Sequence, residues 1–268
     1  VNVGQTFTAD DLARFAGAVA SGAVRVIDLT QTLTPDFPVI VLPPEFGQAA
    51  PFRVEPISRY DESGPGWYWN NFTMSEHTGT HFDAPIHWIT GRDLPDASVD
   101  TIPARNFVAP ACVVDVAARC AADPDFTLTV DDMRAWEREH GRIPRGAWVL
   151  LRTDWSKRPP RDYANMREDG AHTPGPGPDV MKWLVEERDV HGFGTETIGT
   201  DHGQAFHFNP PHPAHHFIHG AGKYGLQCLC NLDLLPPTGA VIFAAPLKIK
   251  QGSGSPLRVL ALVADGAR

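Results

Sequence analysis

Four cysteines in 268 residues are too few and too unevenly placed for a disulfide-built scaffold; they stand at Cys112, Cys120, Cys228 and Cys230. Long apolar runs are missing as well. None approaches the roughly 20 residues of a membrane-spanning helix. Basic residues are in deficit, with 23 Lys and Arg against 32 Asp and Glu and a formal charge of −9. That balance argues against non-specific nucleic-acid binding, which needs a basic face. Residues Val1 to Asp10 carry neither the basic nor the apolar region of a signal peptide. The expectation is a cytoplasmic protein. There is no Gly-x-Ser-x-Gly elbow and no phosphate-binding loop. Internal repeats, charge blocks and an evident linker are absent too, so residues 1–268 read as a single domain. The apolar fraction of 42% is ordinary and supports a sizeable core.

What the chain does have is histidine, twelve in all, concentrated in two places. Residues 77 to 87 read His-Thr-Gly-Thr-His-Phe-Asp-Ala-Pro-Ile-His. His77 and His81 would share a helix face, but Thr78, Gly79 and Thr80 are poor helix formers and Pro85 would stop a helix running on. An extended chain fits better. It points His81 and Asp83 to one side, Gly79 lets the backbone bend so that His77 joins them, and Pro85 turns the chain into His87. The pattern predicts a divalent-metal site of His77, His81 and Asp83 with His87 beside it. A single histidine is more often a solvated or hydrogen-bonded residue than a ligand, but four such groups at this density resist assignment to packing.

The second concentration lies between 202 and 219: His202, His207, His212, His215, His216 and His219. Any one of these fits a solvated loop. As a group they are expected to form a pocket wall facing the first motif. Trp67, Tyr68, Trp69 and Phe72 make an aromatic run just before that motif; core packing and a flat substrate pocket are both open for it, and Trp67 and Trp69 are the pocket candidates. Elsewhere the pattern gives a helix from Asp10 to Val19 behind Thr8 as N-cap, with Gly22 as its stop. A capping box is expected at Thr129–Asp132, with a helix to about His140 and Gly141 as its end, and Pro178 opens a helix through Arg188. Strands are expected at Val24–Leu29, 111–116, Ala147–Leu151, 240–244 and 257–263. Residues 159–178, rich in Pro and Gly, read as a long surface loop. Helices and strands alternate, which gives an α/β class.

The stretch 77–87 resembles, at every specified position, the H-x-G-T-H-x-D-x-P-x-H pattern of the cyclase-like metal-dependent amidohydrolases, a superfamily that includes kynurenine formamidases and isatin hydrolases. The flanking Ser75-Glu76 and Trp88-Ile89-Thr90-Gly91, with Ala245-Pro246-Leu247-Lys248-Ile249 further on, look most like the isatin hydrolase branch. The resemblance implies a mixed β-barrel-like core with helices outside, of the swivelling β/β/α type, assembled as a homodimer or higher homo-oligomer. It implies that Asp201 supports the site. Two-metal relatives hold a second ion with a His and a Glu twelve residues on. The matching positions are His215 and Gln227, so the Glu is missing and one metal is implied, Mn²⁺ first and Zn²⁺ as the alternative. The isatin hydrolase branch has a product-contacting Ser where this chain has Cys228. Cys228 and Cys230 read better as small apolar residues in a strand than as a metal pair.

A metal ion with open positions activates water and polarises a carbonyl, and His87 is the candidate to take and return the proton. The favoured reading is hydrolysis of an isatin-like lactam by water held on the ion, giving a carboxylate, with His215, Gln227 and Cys228 as further substrate contacts. An arylformamidase is the first alternative. A facial-triad Fe(II) oxygenase and a non-catalytic metal protein are more distant ones.

Overall fold

A computed structural model describes residues 7–88 and 94–266; Ile89, Thr90 and Gly91 of the quoted resemblance lie outside the described residues. The chain opens with helix α1 (Ala9–Ser21) and strand β1 (Val24–Asp28), followed by an irregular, proline-rich segment. Thr8 caps α1 with its side chain, Asp11 returns the hydrogen bond, and Gly22 ends the helix at φ +82°, a conformation that disfavours a side chain. Strands β2 (Arg53–Arg59) and β3 (Tyr68–Thr73) form a separate antiparallel hairpin. Strand β4 (His81–Asp83) comes next, then β5 (Val108–Asp115), α2 (Ala117–Ala122), β6 (Thr127–Leu128), α3 (Val130–His140) and β7 (Trp148–Arg152). The short strands β8 (Met166–Arg167), β9 (Gly170–Ala171) and β10 (Gly175–Pro176) precede α4 (Pro178–Glu186). The chain closes with β11 (Gly192–Thr195), β12 (Tyr224–Gln227), β13 (Ala240–Phe243), β14 (Gly254–Pro256) and β15 (Leu260–Ala264).

Nine of these strands form one mixed sheet in the order β1-β15-β13-β5-β7-β11-β12-β4-β14. The pairs β5–β7, β7–β11 and β11–β12 are parallel; the two flanks are antiparallel. The sheet curls on itself. Past β1, the Leu29 carbonyl accepts from Cys230 N at 3.0 Å, and Thr30 bridges to Leu229 just beyond β12. The curl encloses one apolar cluster with members from both flanks: Ile27 and Leu29, Phe82, Trp148 and Leu150, Leu226, Ile242 and Val263. The outer face of the central strands, with Cys112, Val114, Val149, Leu151 and Phe193, lies under α3 and α4 through Met133, Trp136, Val180, Met181 and Leu184. Strands buried on both faces explain why the central runs read as continuously apolar. This is the expected α/β class with a mixed, barrel-like core and helices packed outside. Among the described residues, no helix is long and apolar enough to cross a membrane.

Two expectations need correction, and one strand escapes the sequence pattern. Residues 159–178 form a surface loop only in part: 159–162 and 166–169 are exposed, but Tyr163, His172 and Thr173 are buried, and β10 pairs with β6. Abundant Pro and Gly forbid long elements but say nothing about exposure. The segment satisfies its polar groups internally, with His172 held between Asp125 at 2.8 Å and Asp169 at 2.9 Å. Cys228 is not in a strand; β12 ends at Gln227, and Cys228 takes a left-handed turn at φ 52°. Strand β14, three residues in a Gly- and Ser-rich run, carries too little apolar pattern to be read from sequence.

A candidate metal and substrate site around Asp83

Strand β4 is the frame of the site. It pairs antiparallel with β12 on one side and β14 on the other, so its register is fixed from both edges. Alternation then sends Phe82 into the core and turns His81 and Asp83 to the opposite face. Gly79, at φ +69°, makes the bend that a side chain would resist. Pro85 opens a short 3₁₀ turn, Pro85–His87, that carries His87 back over the strand. The expected geometry of the motif therefore holds, with His87 on a helical turn.

The carboxylate of Asp83, 1% exposed, is the centre. Its Oδ1 faces His77 Nδ1 at 2.7 Å and His81 Nε2 at 3.4 Å. Its Oδ2 faces His215 Nε2 at 3.8 Å and His219 Nε2 at 3.9 Å, and accepts a hydrogen bond from the Gln227 amide. His87 stacks on His77 with ring centroids 3.9 Å apart. The outer nitrogens of the rings are engaged too. His81 Nδ1 donates to the Gly79 carbonyl at 2.7 Å, and His219 Nδ1 to the Lys223 carbonyl at 3.1 Å. His215 Nδ1 donates to Asp201 at 2.5 Å. A carbonyl or carboxylate oxygen can only accept, so each of these outer nitrogens carries a proton, and in the neutral rings of His81 and His219 the inner nitrogen presents a lone pair. Lone pairs converging on a buried carboxylate are what a cation-binding shell requires.

The electrostatics agree. Burial pushes His81 and His219 down to about 4 and His87 down to about 3, so these rings are neutral at neutral pH and available as ligands or bases. Burial opposes ionisation of Asp83, but the surrounding imidazoles, His87 and His77 foremost, hold it well below the usual carboxylate range. Burial would also depress His215; the Asp201 carboxylate outweighs it and raises the ring. Of the buried side-chain polar atoms without a partner among the described residues, one, Gln227 Oε1, lies beside this cluster. Among the described residues two groupings have ligand atoms close enough to share an ion, His77–Asp83–His87 and Asp83–His215–His219; both contain Asp83, and His81 stands beside them with Nε2 3.4 Å from Asp83 Oδ1. The residues fit a divalent metal.

The second histidine group divides. His215 and His219 lie on one π-helical turn, His215–His219, which aims both at Asp83. Three others do not face it: His202 donates to the Asp125 carbonyl at 2.8 Å, His207 is exposed beside Phe206, and His212 packs against Trp88 and His215 at the rim. The expectation of a wall made by all six is thus corrected: His215 and His219 face Asp83, while His202 and His207 are engaged elsewhere. His219 is a site residue that sequence reading left undistinguished from its neighbours; its spacing of four from His215 was the available signal. Asp201 holds His215 and also accepts from Ala214 N at 2.6 Å. Trp67 and Trp69 sit on the β2–β3 hairpin, 55% and 54% exposed, so they are not core residues. Cys228 is buried with Phe37, Trp155 and Tyr163; burial pushes its thiol up to about 12, which leaves it no thiolate character.

Comparison with known proteins gives a consistent picture. The family model described as "Putative cyclase" matches residues 27–202. An isatin hydrolase from Roseibium aggregatum is 48% identical over 255 residues, covering 94% of this chain and 97% of its own length. Isatin hydrolase A from Labrenzia aggregata, solved bound to benzyl benzoate, is 64% identical with a TM-score of 0.94, over 95% of this chain and 99% of that one. A further isatin hydrolase, solved with the product analogue thioisatinate, is 46% identical with a TM-score of 0.94, over 96% of this chain and 100% of that one.

Proposed function

The chain belongs to the cyclase family, and from that premise we propose that it is a metal-dependent amidohydrolase, a single domain that opens an isatin-like cyclic amide to a carboxylate. The observation that carries the reading is the convergence of four imidazoles, His77, His81, His215 and His219, on the Asp83 carboxylate. We assign His77, His81 and Asp83 to hold one divalent ion, Mn²⁺ in preference to Zn²⁺ by resemblance to the isatin hydrolase branch. When bound, such an ion lowers the pKa of water from about 16 to about 7 and polarises a carbonyl.

His87 is the proton carrier. Among the described residues neither of its ring nitrogens is engaged in a hydrogen bond, so one is open to take a proton from water and return it to the leaving lactam nitrogen. Asp201 orients the His215 ring and raises it, so that Nε2 faces inward as a donor. Gln227 is neutral where two-metal relatives carry a Glu, which favours a single ion. We assign its amide, with His215, to hold the product carboxylate, and Cys228 to the apolar wall behind it. Trp67 and Trp69, with Val41, Phe46 and Phe72, leave much apolar surface exposed, as a homo-oligomer would cover, and we include a homodimer in the proposal. The four free cysteines suit the reducing cytoplasm.

The test is turnover of a substrate panel by Mn²⁺-loaded protein. Isatin should open to a carboxylate, read by absorbance and NMR, without oxygen consumption, and faster than any N-formyl aniline releases formate. Formate release without lactam opening would overturn the assignment.

A further inference from the structure

One ring in the cluster is held differently from the rest. His81 and His219 are fixed by carbonyls and His215 by a carboxylate, all through Nδ1. His77 is instead held through Nε2, 2.9 Å from the hydroxyl of Ser253. A hydroxyl can donate or accept, so by itself it leaves the His77 tautomer open. Glu76 closes the choice. Its Oε2 lies 2.6 Å from Ser253 Oγ and 3.2 Å from Ser253 N. A carboxylate only accepts, so the single hydroxyl proton of Ser253 goes to Glu76, and Oγ turns a lone pair to His77. His77 must then carry a proton on Nε2, and its Nδ1, 2.7 Å from Asp83 Oδ1, is the nitrogen left to face an ion.

The segment that delivers Ser253 is built to come this close. A side chain on Gly254 would lie 2.4 Å from the Phe82 carbonyl and 2.6 Å from the His77 ring, and one on Gly252 would lie 3.1 Å from Glu76 Oε1. The close approach therefore requires Gly254, and Gly252 gives Glu76 room.

We propose that Glu76 and Ser253 are positioning residues that fix the His77 tautomer and so set the affinity of the metal site. This rests on the metal-site reading above. Neither residue belongs to the groupings of ligand atoms around Asp83.

The test is Mn²⁺ titration of metal-free protein by calorimetry, with His81→Ala as reference, alongside ¹⁵N shifts of the His77 ring nitrogens. Ser253→Ala should weaken Mn²⁺ binding about 10- to 100-fold, the usual effect of removing a group that orients a metal ligand. Glu76→Gln, whose amide can donate as well as accept, should weaken it less, and Ser253→Thr, which keeps the hydroxyl, should retain most of the affinity. In wild type the His77 shifts should show Nε2 protonated, and in Ser253→Ala a mixture of tautomers. Unchanged Mn²⁺ affinity and tautomer in a folded Ser253→Ala, with binding lost in His81→Ala, would overturn this inference and leave the metal site standing. Wild-type protein that binds no Mn²⁺ or Zn²⁺ would overturn both.

Discussion

The two histidine-bearing arms face the same carboxylate and are built in opposite ways. The first, His77 to His87, is a three-residue strand locked between β12 and β14, and all four of its polar candidates reach the centre or stack against it. The second, His202 to His219, is irregular chain ending in a π-helical turn, and only His215 and His219 arrive. The lesson is that histidine density marks a region, while backbone regularity decides which members count. A strand of fixed register converts every second residue into a site residue. In an irregular arm each ring follows its own local turn, and His202 is spent on the Asp125 carbonyl. Asp83 records the division, with Oδ1 serving the first arm and Oδ2 the second.

The largest effect should come from the shared centre. Asp83→Ala removes the carboxylate that faces both arms and should abolish metal retention and turnover together, checked by elemental analysis and isatin opening. Full metal occupancy in that variant would show that the arms do not depend on it. Next is His87→Ala, which should keep the metal and lose about 10²- to 10⁴-fold in turnover, the range for a general acid–base group. Loss of the metal as well would make His87 a ligand and move it into the same role as His77.

Acid should then unsettle both arms. His81 and His219 are held down to about 4 and His87 to about 3, against about 6.5 for an unfolded histidine. As pH falls through 6.5 the unfolded chain takes up protons that the fold refuses, so stability of metal-free protein is lost from that point downward. His215 and His172 are raised and work the other way, their contributions disappearing as pH rises through their folded values, but they are two groups against five, since His191 and His212 are lowered as well. The melting temperature of metal-free protein should therefore be lower at pH 5 than at pH 7.5, measured by calorimetry. An equal or higher value at pH 5 would contradict the neutral-imidazole picture.

The smallest effects should fall on residues outside the convergence. His207→Ala, in the dense arm but turned outward, should change turnover by less than about two-fold, since an exposed substitution away from any network is worth about 0.5 kcal/mol at most. Trp69→Ala should cost well under the roughly 3–5 kcal/mol of a buried tryptophan. A tenfold loss of turnover in His207→Ala would mean that the second arm contributes more rings than its geometry shows.

Much of this was legible in the chain itself. The motif 77–87 could be read as an extended metal site because its parts lie within eleven residues and their chemistry depends on local alternation, a bend at Gly79 and a break at Pro85. The caps at Thr8 and Thr129 were equally legible, since a capping box is a contact between residues three apart. Only the tertiary structure decided the rest. Ser253 lies 176 residues from His77, and nothing in a Gly-Ser-Gly run says that it will lie against an imidazole. Glu76 was in plain view beside the motif, yet its role exists only once Ser253 is there to share. The choice of His215 and His219 over their four neighbours depends on how one turn meets β4 across the sheet. Short-range pattern is written in the order of side chains along the backbone; which distant groups complete it is set by strand pairing and core packing, which bring together residues that share no local signal.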